Sequence, residues 1–119
     1  MYNWDEFLGV AKHLVTLPDE GSNRTAIGRA YYYAFHHARL VIMRRKNKPL
    51  DTSIGHKQVW NELKKMGGKM LVIGELGDEL RTLRVQADYY DSFANKDANA
   101  LDAIADAQEI VEALVANTE

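Results

Sequence analysis

The sequence predicts an all-α fold, an up-and-down bundle of four main helices plus a short one, in a single domain over residues 1–119. Apolar residues recur at intervals of three and four along most of the chain, which is the spacing of one helix face. The 119 residues include only two prolines, and we find no segment with the alternating pattern of a strand. A hydrophobic content of 46% is enough to form one core in a chain of this length.

The first two predicted helices lie on either side of Pro18. The first covers about residues 3 to 16, and Pro18 ends it. Its periodic apolar residues are Trp4, Phe7, Leu8, Ala11, Leu14 and Val15. The second helix begins at Asp19 or Ser22, either of which can serve as N-cap, and continues to the basic, proline-containing segment RRKNKPL.

Three further helices follow. HKQVWNELKKMGG predicts the third, because a basic last turn and paired glycines are typical of a helix C-terminus. ELGDELRTLRVQADYY predicts the fourth, with one apolar stripe of Leu76, Leu80, Leu83 and Ala87. The fifth covers Ala98 to Val115, where apolar residues face the core and acidic residues lie on or beside the opposite arc.

The second helix contains the unusual segment RAYYYAFHHAR, residues 29–39. At ~100° per residue, its apolar residues form one broad arc: Ile27, Ala30, Tyr31, Ala34, Phe35, Ala38, Val41 and Ile42. Arg29 and His36 lie on a line opposite that arc with Tyr33 beside them, and Tyr32 and His37 flank the line. Leu40 and Met43 extend this face, so we expect an amphiphilic surface that forms an interface or a ligand pocket. His36 and His37 can also be ordinary surface or interface residues.

The net charge of -2 conceals a strong segregation. Between Arg24 and Lys69 the chain has eleven Lys or Arg residues and two acidic ones. One basic cluster is Arg44, Arg45, Lys46 and Lys48, and another is Lys64, Lys65 and Lys69. Such a block suits an anionic ligand such as RNA. The alternative is that basic and acidic segments neutralise each other within the fold or across a dimer.

Several kinds of site are excluded. The chain has no cysteine, which excludes disulfides and thiolate zinc sites, and its four histidines lack the spacing of metal ligands. The serines lie at cap or loop positions, and GGKMLVIGELG lacks the preceding strand and the ending of a phosphate-binding loop. We therefore expect neither a metal nor a cofactor. No basic leader or ~20-residue apolar stretch is present, so we expect a cytoplasmic protein without membrane contact.

GRAYYYAFHHARLVI resembles the Ser-Arg-Ala-Tyr-Tyr-x-x-Phe-His-Ala-Ala-Arg signature of HEPN domains, the higher eukaryote and prokaryote nucleotide-binding family. The matching residues are Arg29, Ala30, Tyr31, Tyr32, Phe35, His36, Ala38 and Arg39. The resemblance continues with His56 and Lys57, and LRTLRVQADYYD is similar to the family's Leu-Arg-x-x-Ala-Asp-Tyr segment. It implies a helical bundle, usually a homodimer, and frequent pairing with a nucleotidyltransferase as toxin and antitoxin. Many members are metal-independent ribonucleases in toxin, phage-defence or CRISPR settings.

The catalytic motif of the family is incomplete in this chain. The motif is Arg, about four to six residues, then His. Arg84 supplies the arginine, but Tyr89, Tyr90 and Asp91 stand where the histidine is expected, and no histidine follows His56. Tyrosine, with its usual pKa of about 10, is a poor replacement for an imidazole base.

Three hypotheses follow. In the first, the chain is a ribonuclease in which His36 supplies the missing imidazole, Arg29 and Arg84 bind the phosphate, and Asp88 orients one of these partners. In the second, a polar network binds RNA or a nucleotide without catalysis, or fixes the register of the bundle; its residues are Arg29, Tyr32, Arg84, Asp88 and Tyr89. In the third, the chain is a dimerisation or adaptor module for a partner nucleotidyltransferase.

We favour binding over cleavage, in a toxin-like component of a toxin–antitoxin or phage-defence system. The catalytic candidates are Arg84 and His36. The binding candidates are Arg29, Tyr32, Tyr33, Asp88, Tyr89, Arg44 and Arg45.

Overall fold

The computed structural model describes residues 1–93 and 96–118, apart from the side chains of residues 96–98 and 118. Within these ranges every regular element is a helix, which confirms the predicted all-α class. The helices are α1 (Asp5–Leu14), α2 (Glu20–Arg45), α3 (His56–Lys65), α4 (Gly68–Tyr89) and α5 (Lys96–Thr118). None of the helices among the described residues has the length and apolar character needed to cross a membrane.

The lengths of the helices differ from the prediction of four main helices and a short one. Three are long, with 26, 22 and 23 residues, and α1 and α3 have ten residues each. The largest error concerns α4, which begins at Gly68 instead of about residue 75. Gly67 and Gly68 adopt positive φ angles of 72° and 54°, a conformation that glycine accepts readily. The chain therefore ends α3 and starts α4 within two residues.

The start of α2 is fixed by Asp19. Its carboxylate accepts a hydrogen bond from the backbone N–H of Ser22 at 2.8 Å, and its backbone is extended, as in an N-cap. Of the two predicted cap residues, Asp19 is therefore the N-cap, and Ser22 is the third residue of the helix.

α2 is the central helix of the bundle and packs against each of the other four. α1 also contacts α5, and α4 contacts both α3 and α5, whereas α3 and α5 do not touch in the described part of the chain. The predicted outward face of α2 is therefore wrong at Tyr33, Leu40 and Met43, which are 7%, 5% and 1% exposed. A helix enclosed by neighbours is buried on most sides, so a wheel that assumes one core face fails for it.

Two glycines bring α3 close against α4. A Cβ atom at Gly77 would lie 2.2 Å from Cε3 of Trp60, whose side chain is completely buried. A Cβ atom at Gly74 would lie 2.8 Å from the backbone oxygen of Trp60. Lys64 and Asp78 add an ion pair between the same helices. This tight contact fixes α3, and with it the position of His56 at the helix N-terminus.

Arg24 holds the C-terminal end of α4. Its guanidinium donates hydrogen bonds to the backbone oxygens of Ala87 at 3.0 Å, Tyr90 at 2.6 Å and Asp91 at 3.1 Å. It also lies 5.1 Å from the centre of the Phe93 ring. A cation at a helix C-terminus satisfies carbonyls that have no partner within the helix. Arg24 therefore fixes the position of the backbone at Tyr90.

Candidate functional site

His56 lies at the centre of an aromatic and cationic cluster. Its ring stacks on Phe35, with 4.2 Å between centroids, and its Nδ1 is 2.7 Å from the Tyr31 hydroxyl oxygen. The same oxygen accepts a hydrogen bond from Nε1 of Trp60 at 3.1 Å. Since the Tyr31 O–H then donates to Nδ1, the network assigns the proton of the neutral imidazole to Nε2. Burial raises the pKa of Tyr31 to about 12, which keeps this hydroxyl protonated as a donor.

The neutral imidazole is also favoured by its surroundings. Burial lowers the pKa of His56, and the positive charges of Arg84 and Arg81 lower this pKa further. His56 is therefore uncharged at pH 7, and its Nε2–H is a donor that forms no hydrogen bond within the described residues. Such a group can bind a phosphate oxygen, but it cannot accept a proton at Nε2 while Nδ1 is engaged.

Two arginines stand one turn apart on α4. Arg84 is 12% exposed, and its Cζ lies 5.6 Å and 5.5 Å from the ring centres of Tyr31 and Tyr32. Its Nη1 donates to Asp88 at 3.0 Å, which forms an ion pair between residues four apart on the same helix. The Nε atoms of Arg81 and Arg84 are buried without a hydrogen-bond partner. Arg81 forms no ion pair among the residues described, and it lines one cavity together with Lys57. We call His56, Lys57, Arg81 and Arg84 the cationic site.

His36 lies elsewhere, against α1. Its ring is stacked on Trp4, with 3.4 Å between centroids and 11° between planes. Its Nδ1 accepts a hydrogen bond from Nε of Arg39 at 3.2 Å. Burial, and then the charges of Arg39, His56 and His37, lower the pKa of His36 to about 4, so it is a weak base at neutral pH.

The structure does not bring His36 into contact with Arg84. Tyr32 contacts both residues: its ring centre is 6.0 Å from that of His36 and 5.5 Å from Cζ of Arg84. The histidine whose pKa is lowered by the positive charge of Arg84 is His56.

The other predicted site residues are distributed around the bundle. Arg29 lies 4.6 Å from the ring centre of Phe7 on α1, and Tyr33 is buried with its ring near His37. Asp88 and Tyr89 are exposed at the end of α4. Arg44 and Arg45 are exposed at the end of α2, where Glu62 partly neutralises the neighbouring basic residues through ion pairs with Lys46 and Lys65. Of the predicted residues, the structure therefore groups Tyr32, Arg84 and Asp88.

Three residues of the cationic site were missed as functional residues in the sequence. The family resemblance covers His56 and Lys57 without giving either residue a role, and Arg81 lies within the periodic pattern that predicts the fourth helix. One signal was available, because Arg81 and Arg84 are three apart on a predicted helix and so lie on one face. The cluster consists of cations and hydrogen-bond donors, which is chemistry for binding phosphate. In the described ranges, no group of three His, Asp or Glu side chains is placed to hold a metal ion.

Comparison with known proteins agrees with the helical architecture. The HEPN domain family model matches residues 5–118. A relative is the uncharacterized protein MJ0992 of Methanocaldococcus jannaschii, which is 31% identical over 108 residues. The match covers 75% of this chain and 61% of the relative, so the chain spans about three fifths of that protein's length. No solved structure matches significantly. Because the family model spans almost the whole chain, the protein belongs to the HEPN domain family.

Proposed function

We propose that this protein binds RNA or a nucleotide through phosphate contacts at the cationic site. The observation that carries this proposal is the pair of buried, unpartnered Nε atoms on Arg81 and Arg84 beside the neutral imidazole of His56. An anion would balance the positive charge of Arg81, which forms no ion pair among the described residues, whereas Arg84 is already paired with Asp88. Membership of the HEPN family supports a ligand related to RNA or nucleotides.

Retention on single-stranded RNA at two salt concentrations tests the proposal. We expect Lys57→Ala to weaken binding and to reduce the slope of log affinity against log salt concentration by roughly 0.7, the value for one lost phosphate contact on a single strand. Lys12→Ala is the matched control, because it removes the same charge from an exposed lysine on α1. Absent or salt-insensitive retention of the wild type would contradict the proposal. An equal loss of binding in Lys57→Ala and Lys12→Ala would also contradict it.

The cleavage alternative requires an imidazole base beside Arg84. His56 occupies this position, but its Nδ1 is bonded to Tyr31 and its Nε2 carries the proton. We therefore expect labelled tRNA and mRNA to remain intact when incubated with the protein without metal. Metal-independent cleavage that disappears in His56→Ala and Arg84→Ala, with the fold retained, would favour the ribonuclease. Loss of cleavage in His36→Ala alone would restore the pairing first predicted from the sequence.

The cellular role that we propose is a toxin-like component of a toxin–antitoxin or phage-defence system. The proposal includes a homodimer and a partner nucleotidyltransferase, and it is supported by membership of the HEPN family. Light scattering tests the homodimer, and co-purification with proteins encoded nearby tests the partner nucleotidyltransferase. A monomer that co-purifies with no nucleotidyltransferase and does not affect growth would contradict this role while leaving RNA binding open to its own test.

A further inference from the structure

A cavity of about 350 Å³ opens beside the cationic site, between the start of α3 and one face of α4. Its wall includes Lys57, Asp78, Arg81, Val85, Gln86 and Tyr90. The volume lies at the lower end of the range for small-ligand sites, ~300–1,000 Å³. The cavity shares Lys57 and Arg81 with the cationic site, so a ligand held there by its phosphate could extend into it.

The walls of this cavity combine three kinds of chemistry. Lys57 and Arg81 provide positive charge, whereas the carboxylate of Asp78 is balanced by its ion pair with Lys64. Val85 and the ring of Tyr90 provide apolar surface that suits a flat heterocycle. The amide of Gln86 provides a hydrogen-bond donor and an acceptor together, and every nucleobase presents such groups on its edge.

The backbone that carries the Tyr90 ring is held in place before any ligand arrives. Tyr90 is 55% exposed, so its ring is accessible from solvent. Its backbone oxygen accepts a hydrogen bond from Arg24 at 2.6 Å, and its backbone N–H bonds to the carbonyl of Gln86 at 3.0 Å. Because the backbone at Tyr90 is already ordered, a base that stacks on the ring has only the side-chain torsions to restrict, which favours affinity.

We propose that this cavity is a base pocket, in which one nucleobase of single-stranded RNA stacks on Tyr90 and hydrogen-bonds to Gln86. The base belongs to a nucleotide whose phosphate is held at Arg81 and Lys57, so this inference rests on the proposed function. Because a base inside a duplex is paired and stacked, the pocket selects single strands.

Fluorescence anisotropy with two five-nucleotide probes tests the base pocket. One probe is an adenosine oligonucleotide, and the other carries a tetrahydrofuran abasic unit at every position with the same phosphates. We expect the wild type to bind the adenosine probe roughly 5- to 160-fold more tightly, which is the effect of one base stacked on an aromatic side chain. Tyr90→Ala and Gln86→Ala should each lose much of this difference while still binding the abasic probe.

Two controls make the result specific. Gln108→Ala makes the same substitution on α5 and should keep the wild-type difference between the probes. Tyr90→Phe preserves the stacking ring and should also keep it. Circular dichroism of every variant checks that the fold is retained.

The possible failures are distinguishable. If both probes bind equally and with salt dependence, phosphate binding holds and the base pocket is wrong. If the difference persists in both Tyr90→Ala and Gln86→Ala, the base binds elsewhere and the inference is also wrong. If neither probe binds at any salt concentration, the proposed function itself fails.

Discussion

Gly77→Ala should destabilise the protein even though alanine is the better helix former. The new Cβ would lie 2.2 Å from Cε3 of Trp60, well inside the optimal carbon–carbon separation of about 3.5–4.0 Å. The ring is completely buried, so it can move only by displacing its neighbours. Overpacking of this kind costs about 1–3 kcal/mol, from which alanine recovers up to ~1 kcal/mol of helix propensity. Because a contact of 2.2 Å with a buried ring belongs at the upper end of the overpacking range, we expect a net loss of about 2 kcal/mol.

Urea denaturation followed by circular dichroism measures this loss as a lower midpoint. Gly9→Ala is the matched control, because Gly9 is exposed within α1 and a Cβ there would meet nothing within 4 Å. That variant should gain up to about 1 kcal/mol. If Gly77→Ala is as stable as Gly9→Ala, the close packing of α3 on α4 inferred from Trp60 is wrong. The same displacement should weaken the proposed RNA binding, since Trp60 supports Tyr31 and His56.

Three further substitutions test the network around the site. Tyr31→Phe leaves the buried N–H of Trp60 without its acceptor and should cost about 1–3 kcal/mol in denaturation. It should also raise the pKa of His56 in an NMR titration, because the neutral ring loses the O–H bond at Nδ1; an unchanged pKa would contradict the assigned tautomer. Arg24→Gln removes the bonds to the end of α4 and should cost about 1–2 kcal/mol, with faster amide exchange at Tyr90; unchanged exchange would show that Arg24 does not hold this end. His36→Gln should reduce the loss of stability in acid. The pKa of His36 is about 4 when folded and about 6.5 when unfolded, so its contribution is complete above pH 6.5 and is lost as pH falls to 4. Because the ring is only partly buried, we expect about 1–2 kcal/mol across that window, less than the full shift implies. Equal acid sensitivity of variant and wild type would refute this reasoning.

The sequence predicted the helices because each has a periodic apolar pattern that is local to its own segment. Asp19 was among the predicted caps for the same reason, since its partner Ser22 is three residues away. The start of α4 was missed because the glycines at 67 and 68 were read only as the end of a helix, whereas their positive φ angles also start the next one.

The site was less predictable because its parts come from three helices. Tyr31 and His56 are 25 residues apart in sequence, and Arg84 reaches them only after α4 has packed against α2. The helix wheel also assigned His36 to an open face, although α1 covers it through Trp4. A wheel describes one helix and cannot show which neighbours surround it, which is why it indicated His36 and gave no role to His56.

Positive and negative charges are separated along the molecule, because α3 is basic, α5 is acidic and the two helices lie apart. α3 carries Lys57, Lys64 and Lys65, of which Lys64 and Lys65 are paired with Asp78 and Glu62. α5 carries the acidic side chains Asp102, Asp106, Glu109 and Glu112, and the two helices do not pack against each other in the described structure. Burial raises the pKa of Asp106, and the neighbouring negative charges of Glu109, Asp102 and Glu79 raise this pKa further. A polyanion approaching within a Debye length, about 8 Å at physiological salt, would exert a torque that turns α3 toward it and α5 away. In the proposed binding of RNA, the protein would thus be turned toward the polyanion before the first contact forms.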